Sequence, residues 1–212
     1  MITSFCFVTR DQCVTNNDIK KVKIELVKNN FEVVEQTRLG MDGVVLRVQN
    51  FFSKDFTYLE RTLKLDINFS VKTIEIKKLL LADMDSTIIT SECIDELAEY
   101  AGVRAEVSLI TEKAMRGDLD FKEALEQRVK LLKGLTVQQL NDCYDKKIHF
   151  SKGARTLVKT MRFFGCSSVI VSGGFSFFAQ KVAADIGFDK AYANQLVFEG
   201  NILSGAVKNP II

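Results

Sequence analysis

The sequence predicts a two-part α/β protein: a parallel-sheet domain carrying an inserted helical cap, preceded by a small ferredoxin-like α+β module. Three observations predict it. Residues 1–71 alternate strand-like and helix-like periodicities in the order βαββαβ. Leu79–Ala82 and Ser167–Val171 are short apolar runs without alternation, the pattern of strands covered on both faces of a parallel sheet. Between those runs lie more helical patterns than a single crossover needs, so the excess reads as a cap inserted after the first buried strand.

Residues 4–9, SFCFVT, read as a strand, and residues 17–29 place Ile19, Val22, Ile24, Leu26 and Val27 close to a helical stripe. Phe31–Thr37 alternates as a strand, Gly40-Met-Asp-Gly43 is a turn, and Val44–Val48 returns as its partner. Phe56, Leu59, Leu63 and Leu65 mark a second helix, and Ile67–Val71 a fourth strand. Lys72–Lys78 is a charged connector, so the module takes residues 1–74 and the larger domain residues 75–212. Modules of this order bind small ligands or pair with copies of themselves, which leaves a homodimer open.

In the larger domain helices are expected over Cys93–Ala101, Ala105–Arg116, Phe121–Lys133 and Thr136–Asp145, a cap spanning about 93–148. Gly102, Gly117 and Gly134 stand at their ends, where a left-handed residue closes the last turn. A helix over Ala154–Phe164 precedes the second buried strand. After Gly173-Gly174 come a helix over about Phe175–Ile186 and short strands at Ala191–Asn194, Gln195–Phe198 and Ile202–Val207.

Composition narrows the function classes. A net charge of +2 over 212 residues, with charges spread along the chain, is no footprint for nucleic acid. The most apolar window, Phe163–Phe178, contains Ser and Gly-Gly and is too short to span a bilayer, so no membrane partner is expected. The N-terminal MITSFCFVTRDQC lacks a basic leader and long apolar stretch, and the protein is expected to be cytoplasmic. Cys6, Cys13, Cys93, Cys143 and Cys166 are scattered, with a single histidine, His149; they read as reduced thiols rather than a disulfide framework or zinc site.

The chemistry-bearing segment is Asp83-Met-Asp85-Ser-Thr87 at the end of the first buried strand. Carboxylates two apart on extended backbone share a side, and in parallel sheets that end of the strand opens on the ligand crevice. One carboxylate can attack phosphorus and the other can shuttle a proton to the departing alkoxide. Two acids beside a dianionic phosphate call for a divalent cation, and an all-oxygen site suits magnesium. The bland alternative is a strand-to-helix turn with Asp85 or Ser86 as its N-cap. The second strand ends in Ser172-Gly173-Gly174-Phe175, where glycines let backbone N–H groups approach an anion and Ser172 offers a hydroxyl. A plain tight turn is the alternative there. Neither G-x-G-x-x-G nor G-K-[ST] is present.

D-M-D-S-T, S-E-C-I-D-E-L-A, A-M-R-G, F-K-E-A-L-E-Q-R-V-K-L-L-K-G-L and V-S-G-G-F together resemble the phosphoserine phosphatases of the haloacid dehalogenase superfamily, from about Lys77 to Pro210-Ile-Ile. The N-terminal module resembles the ACT-like domain that precedes this catalytic domain in many bacterial relatives. The resemblance implies a haloacid dehalogenase-like fold and magnesium-dependent hydrolysis of O-phosphoserine, the last step of serine biosynthesis. It implies Asp83 as nucleophile and metal ligand, and Asp85 as general acid/base that binds Mg2+ through its backbone carbonyl. Ser172 and Gly173 would hold the phosphate, Glu92 the substrate ammonium and Arg128 its carboxylate. Met115 and Phe121 would line the cap side of the pocket, or simply pack in the core.

The family pattern continues past G-x-V-x-x-P-I with a phosphate-neutralising lysine and a G-D-G-x-N-D motif. These 212 residues carry neither, and Lys208 falls before the place of that lysine. A C-terminally truncated phosphatase domain is the expectation, with an apolar parallel edge beside Leu79–Asp83. The alternatives are a non-catalytic remnant acting as a binding or interaction module, and a phosphatase for another small phosphorylated alcohol.

Overall fold

The computed structural model describes residues 2–8, 13–41, 43–49, 57–70 and 77–211, in two compact units, Met1–Glu75 and Ile76–Ile212. The expected contributions of Thr9, Asp42, Phe56, Val71 and the connector residues 72–76 lie outside the described residues.

In the first unit the order is β1 (Ile2–Val8), α1 (Asn16–Lys28), β2 (Glu32–Leu39), β3 (Gly43–Gln49), α2 (Thr57–Leu63) and β4 (Asp66–Ser70). The four strands form one antiparallel sheet in the order β2-β3-β1-β4, the ferredoxin-like arrangement. Thr15 starts α1 through a capping box: its hydroxyl accepts from the Asp18 N–H while the Asp18 carboxylate accepts from the Thr15 N–H. Ile19, Val22 and Leu26 of α1 pack on Val44, Leu46 and Val48, the alternate residues of β3. Ile24 and Val27, expected in the same stripe, face outward instead. Their spacing puts them on the flank of the helix rather than on the row that meets the sheet.

The second unit begins with β5 (Leu79–Ala82), followed by α3 (Cys93–Ala101), α4 (Arg104–Met115), α5 (Phe121–Leu131) and α6 (Val137–Lys147). Then come α7 (Ala154–Phe163), β6 (Ser167–Phe175), α8 (Ser176–Ile186), β7 (Lys190–Asn194) and the hairpin β8 (Leu196–Glu199) and β9 (Ile202–Val207). Gly102, Gly117 and Gly134 are all left-handed at helix ends. Strands β5, β6 and β7 make a parallel sheet in that order. One core joins this sheet to all six helices, with Leu97, Val107, Leu125, Val129, Leu140, Val158, Ile170 and Phe178 buried in it. The β8–β9 hairpin is tied to the helical insertion by backbone bonds from Gly134 N–H to the Leu203 carbonyl and from Leu203 N–H to the Leu135 carbonyl. Cys93, Cys143 and Cys166 are buried free thiols and Cys13 is exposed. No helix of the described residues is long and apolar enough to cross a membrane.

The apolar run of β5 predicts cover on both faces, and the structure corrects this. Both connections, β5 to β6 and β6 to β7, run the same way across the sheet, and right-handed crossovers therefore place α7 and α8 on one side. That side buries Ser168, Ile170 and Ala193. The other carries Leu79 at 56% exposure, Leu81 at 61%, Val171 and Tyr192. Replacing Leu81→Lys should therefore cost less than about 0.5 kcal/mol in denaturant unfolding and reduce self-association in light scattering. A loss of about 2 kcal/mol or more would show this side chain to be packed.

Candidate active site

The site forms where β5 and β6 end. Beyond Ala82 the chain leaves the sheet through Asp83 and a tight turn in which Ser86 takes φ 50°, a left-handed conformation that costs a non-glycine residue energy. Three contacts fix that turn. The Ser86 N–H donates to the Ser91 carbonyl, the Ser86 hydroxyl donates to Glu92 Oε1 at 2.6 Å, and the Ile88 and Ile89 N–H groups share the Met84 carbonyl. Met84 itself is fully buried, so the side chains of Asp83 and Asp85 are turned the other way, toward the cavity.

Asp85 is the more constrained acid. Its Oδ1 accepts the Cys93 N–H at 2.9 Å, at the first turn of α3, and its Oδ2 accepts the Ser172 hydroxyl at 3.4 Å. Burial pushes its pKa up; the Cys93 contacts pull it down, and the charges of Glu92 and Asp83 push it up again. A proton is therefore held more readily at Asp85 than at an ordinary aspartate, as an acid that must protonate a leaving group requires. The sign for stability follows. An ionised Asp85 is disfavoured in the folded chain, so its burial costs stability above the unfolded pKa, and that cost fades as acid protonates it. Asp85→Asn should melt higher than the parent at pH 7, with the gap closing toward pH 4. An equal or lower melting temperature at pH 7 would contradict this.

Across from the carboxylates, β6 bulges. Its register with β7 jumps between Val171 and Phe175, and residues Ser172, Gly173 and Gly174 leave the ladder there. The sequence places a helix directly after the two glycines, whereas strand pairing resumes at Phe175 and α8 begins at Ser176. Ser172 is 3% exposed, and its oxygen accepts the Gly174 N–H at 3.0 Å. A Cβ on Gly174 would collide with the Asp85 carboxylate, and one on Gly173 would sit 3.0 Å from the Phe121 ring. Close approach, rather than a left-handed angle, favours glycine at Gly174; at Gly173 an added Cβ needs the Phe121 ring to give way.

The remaining wall comes from the inserted helices. Arg128, in the last turn of α5, is half-buried; its Nε donates to the Ala124 carbonyl and one terminal nitrogen to Thr111 Oγ1 of α4. Burial lowers its pKa, and the charges of Asp95 and Glu92 oppose that shift. Asp83, Asp85, Glu92, Arg128, Ser172 and Gly173 all line one cavity of about 210 Å³, together with Ile94, Phe121, Leu125, Gly174 and Phe175. Every residue that the sequence nominates for catalysis or binding is thus brought together. Met115 is not: at 84% exposure it lines neither the cavity nor the core. It is the last residue of α4. Ser86, offered by the sequence only as an N-cap, holds Glu92, and Asn194, which holds Gly173, carries no local pattern by which sequence reasoning singles it out. A more open cleft of about 570 Å³ beside α1, lined by Ile24, Val27, Lys20 and Lys23, has no carboxylate among its described lining residues.

The family model described as haloacid dehalogenase-like hydrolase matches residues 80–211. The chain belongs to the haloacid dehalogenase-like hydrolases. Among relatives of this chain, the phosphoserine phosphatase of Archaeoglobus fulgidus is 48% identical over 136 residues, 64% of this chain and 39% of that one. A solved phosphoserine phosphatase described as a phospho-aspartyl intermediate analogue superposes with a TM-score of 0.58 at 40% identity, covering 63% of this chain and 64% of that one. The probable phosphoserine phosphatase of Vibrio cholerae, unliganded, gives a TM-score of 0.80 at 25% identity over 99% of this chain and 64% of that one. The chain spans about half the length of the curated relatives it matches, from 39% to 64% of the first several.

Proposed function

We propose that this site hydrolyses O-phosphoserine to serine and phosphate by way of an aspartyl-phosphate on Asp83. The observation that carries the reading is the cavity itself, with two acids at the end of β5, a hydroxyl and two glycines at the bulge of β6, and one cation on α5. In the first half-reaction an Asp83 carboxylate oxygen forms a bond to phosphorus while the bond from phosphorus to the serine oxygen breaks, and Asp85 gives that oxygen its proton. In the second, ionised Asp85 takes a proton from water, whose oxygen bonds to phosphorus as the acyl-phosphate bond to Asp83 breaks. Ser172 and Gly173 hold the phosphoryl oxygens. Arg128 pairs with the substrate carboxylate, for which a planar guanidinium offers two parallel donors, and Glu92, braced by Ser86, takes the ammonium.

The donor set fits magnesium. Among the described residues no three His, Cys, Asp or Glu side chains are placed to hold one ion together, and magnesium is commonly held by one or two carboxylates plus substrate phosphate. The Asp83 carboxylate and the Asp85 backbone carbonyl would hold it. Bound there, the cation supplies charge neutralisation in a cavity that sets three carboxylates against the one guanidinium of Arg128. That same imbalance favours a second reading, a site that binds an amino acid without turning over a phosphate ester. Phosphatase action on another small phosphorylated alcohol is a third.

Incubating the chain with magnesium and O-phosphoserine labelled on phosphorus, then quenching in acid, separates these readings. Label released by hydroxylamine is expected. Binding of serine with no such label would favour the second reading. We further propose the ACT-like identity of residues 1–74, the cap role of residues 93–148, a homodimer through the N-terminal module and a cytoplasmic location. The βαββαβ order of the module supports the first.

A further inference from the structure

We infer that Asn194, at the end of β7, is the positioning residue of the phosphate-binding bulge: it locks the Gly173–Gly174 peptide in the orientation that directs the Gly174 N–H onto the Ser172 oxygen and so fixes the Ser172 hydroxyl in the cavity wall. The inference rests on the reading of Ser172–Gly174 as the phosphate subsite.

Three residues of β6 leave the ladder at this point. Val171 pairs with Tyr192 and Phe175 with Asn194, so Ser172, Gly173 and Gly174 together stand opposite the single residue Ala193. A bulge of this kind lacks the ladder bonds that hold ordinary strand backbone. With two glycines in it, the backbone has more conformations open to it than any other pair would allow. Something outside the ladder must therefore select one.

Asn194 is the group placed to do so. It is 1% exposed, and its Nδ2 donates to the Gly173 carbonyl at 2.8 Å. A carbonyl only accepts, so the atom facing it must be the amide nitrogen. The Gly173 carbonyl and the Gly174 N–H belong to one planar trans peptide and point opposite ways. With the carbonyl held toward β7, the N–H is turned away from β7, where the Ser172 oxygen receives it at 3.0 Å. The Ser172 hydroxyl in turn reaches Asp85 Oδ2. A single buried amide thereby sets the direction of the backbone donor and, through Ser172, the neighbour of the proton-carrying acid. Without it the peptide is free to rotate, and the Ser172 oxygen loses the N–H that fixes it.

The other buried polar side chains do not compete for this role. Ser168 is engaged with Asp189 at the far end of β6, and Ser172 is itself part of the bulge.

The test is a pair of binding titrations on the 212-residue chain, one with inorganic phosphate and one with L-serine. Asn194→Ala and Asn194→Asp should each weaken phosphate binding about tenfold, the effect of one well-placed hydrogen bond. Serine, held by Glu92 and Arg128, should bind within about twofold of the parent, since it shares no partner with Asn194. Asn194→Asp keeps the shape but presents oxygen to oxygen, so it controls for packing. Either folded variant binding phosphate like the parent overturns the inference, as does equal loss of phosphate and serine. A parent chain that binds serine but no phosphate overturns the phosphate reading of the bulge first. Amide spectra of the parent add a further check: the Gly174 N–H, bonded to the Ser172 oxygen, must shift on adding phosphate, and an unmoved Gly174 signal overturns the inference.

Discussion

Asp83→Asn should abolish labelling and turnover of O-phosphoserine, a loss on the order of 10⁴-fold or more. An amide oxygen is a far poorer nucleophile than a carboxylate, and its addition to phosphorus would leave no stable acyl phosphate. The structure lets this be read cleanly. Asp83 Oδ1 accepts only the N–H of its own neighbour, Met84, at 2.7 Å among the bonds identified, and an amide oxygen can accept there equally well. The fold should therefore survive, with a melting temperature within a few degrees of the parent. Rapid-quench labelling with magnesium present measures the effect. A variant retaining a tenth of the parent's label would mean that another group attacks phosphorus.

Arg128→Ala should raise KM for O-phosphoserine by about 30- to 100-fold, the worth of a charge-assisted bidentate pair in a half-buried site. The loss must be selective. Phosphoethanolamine has the same phosphate and ammonium but no carboxylate, so its weaker turnover should change by less than about threefold. Arg128→Lys should recover only part of the loss, because a point charge does not reproduce the planar fork. Because the side chain also donates to the Ala124 carbonyl and Thr111, the cavity wall could shift when it is removed. The phosphoethanolamine control measures that shift directly. Equal losses on both substrates would remove the amino-acid carboxylate from the reading.

The two acids and the Ser-Gly-Gly turn were legible because each is announced locally. An apolar strand followed by Asp-x-Asp, and another followed by Ser-Gly-Gly, set polar groups at the ends of adjacent parallel strands. Glu92 and Arg128 are not announced in this way. They sit on α3's N-terminal boundary and α5's last turn, and their meeting depends on how the inserted helices pack. Only the resemblance to a family nominated them. Asn194 was out of reach for the opposite reason: an asparagine closing a strand looks like any turn residue, and its role depends on a bulge in the neighbouring strand.

Fold order was read well and exposure less so. Val44–Val48, expected as a strand, is one, with Val44, Leu46 and Val48 as its buried row. The unbroken run at Leu79–Ala82 records that both sides of β5 suit apolar surroundings, but whether a neighbour lies on each side is settled by the topology. The helical stripe of α1 was similarly drawn too wide at Ile24 and Val27. A periodicity of 3.6 cannot resolve which edge of an apolar band touches the sheet.

The contact between Gly174 and Asp85 bears on which genetic changes this site can survive. Every single-base change in a glycine codon that alters the residue introduces at least a Cβ, and here that carbon would overlap the acid's own oxygen. No replacement is small enough to serve as a neutral intermediate, so this position offers no path for gradual drift. A saturation library at Gly174 should return glycine alone among functional clones, while the neighbouring Gly173, whose limit is a rotatable phenylalanine ring, should also return alanine. The acid and the glycine are in effect one inherited unit, although they come from different strands of the chain.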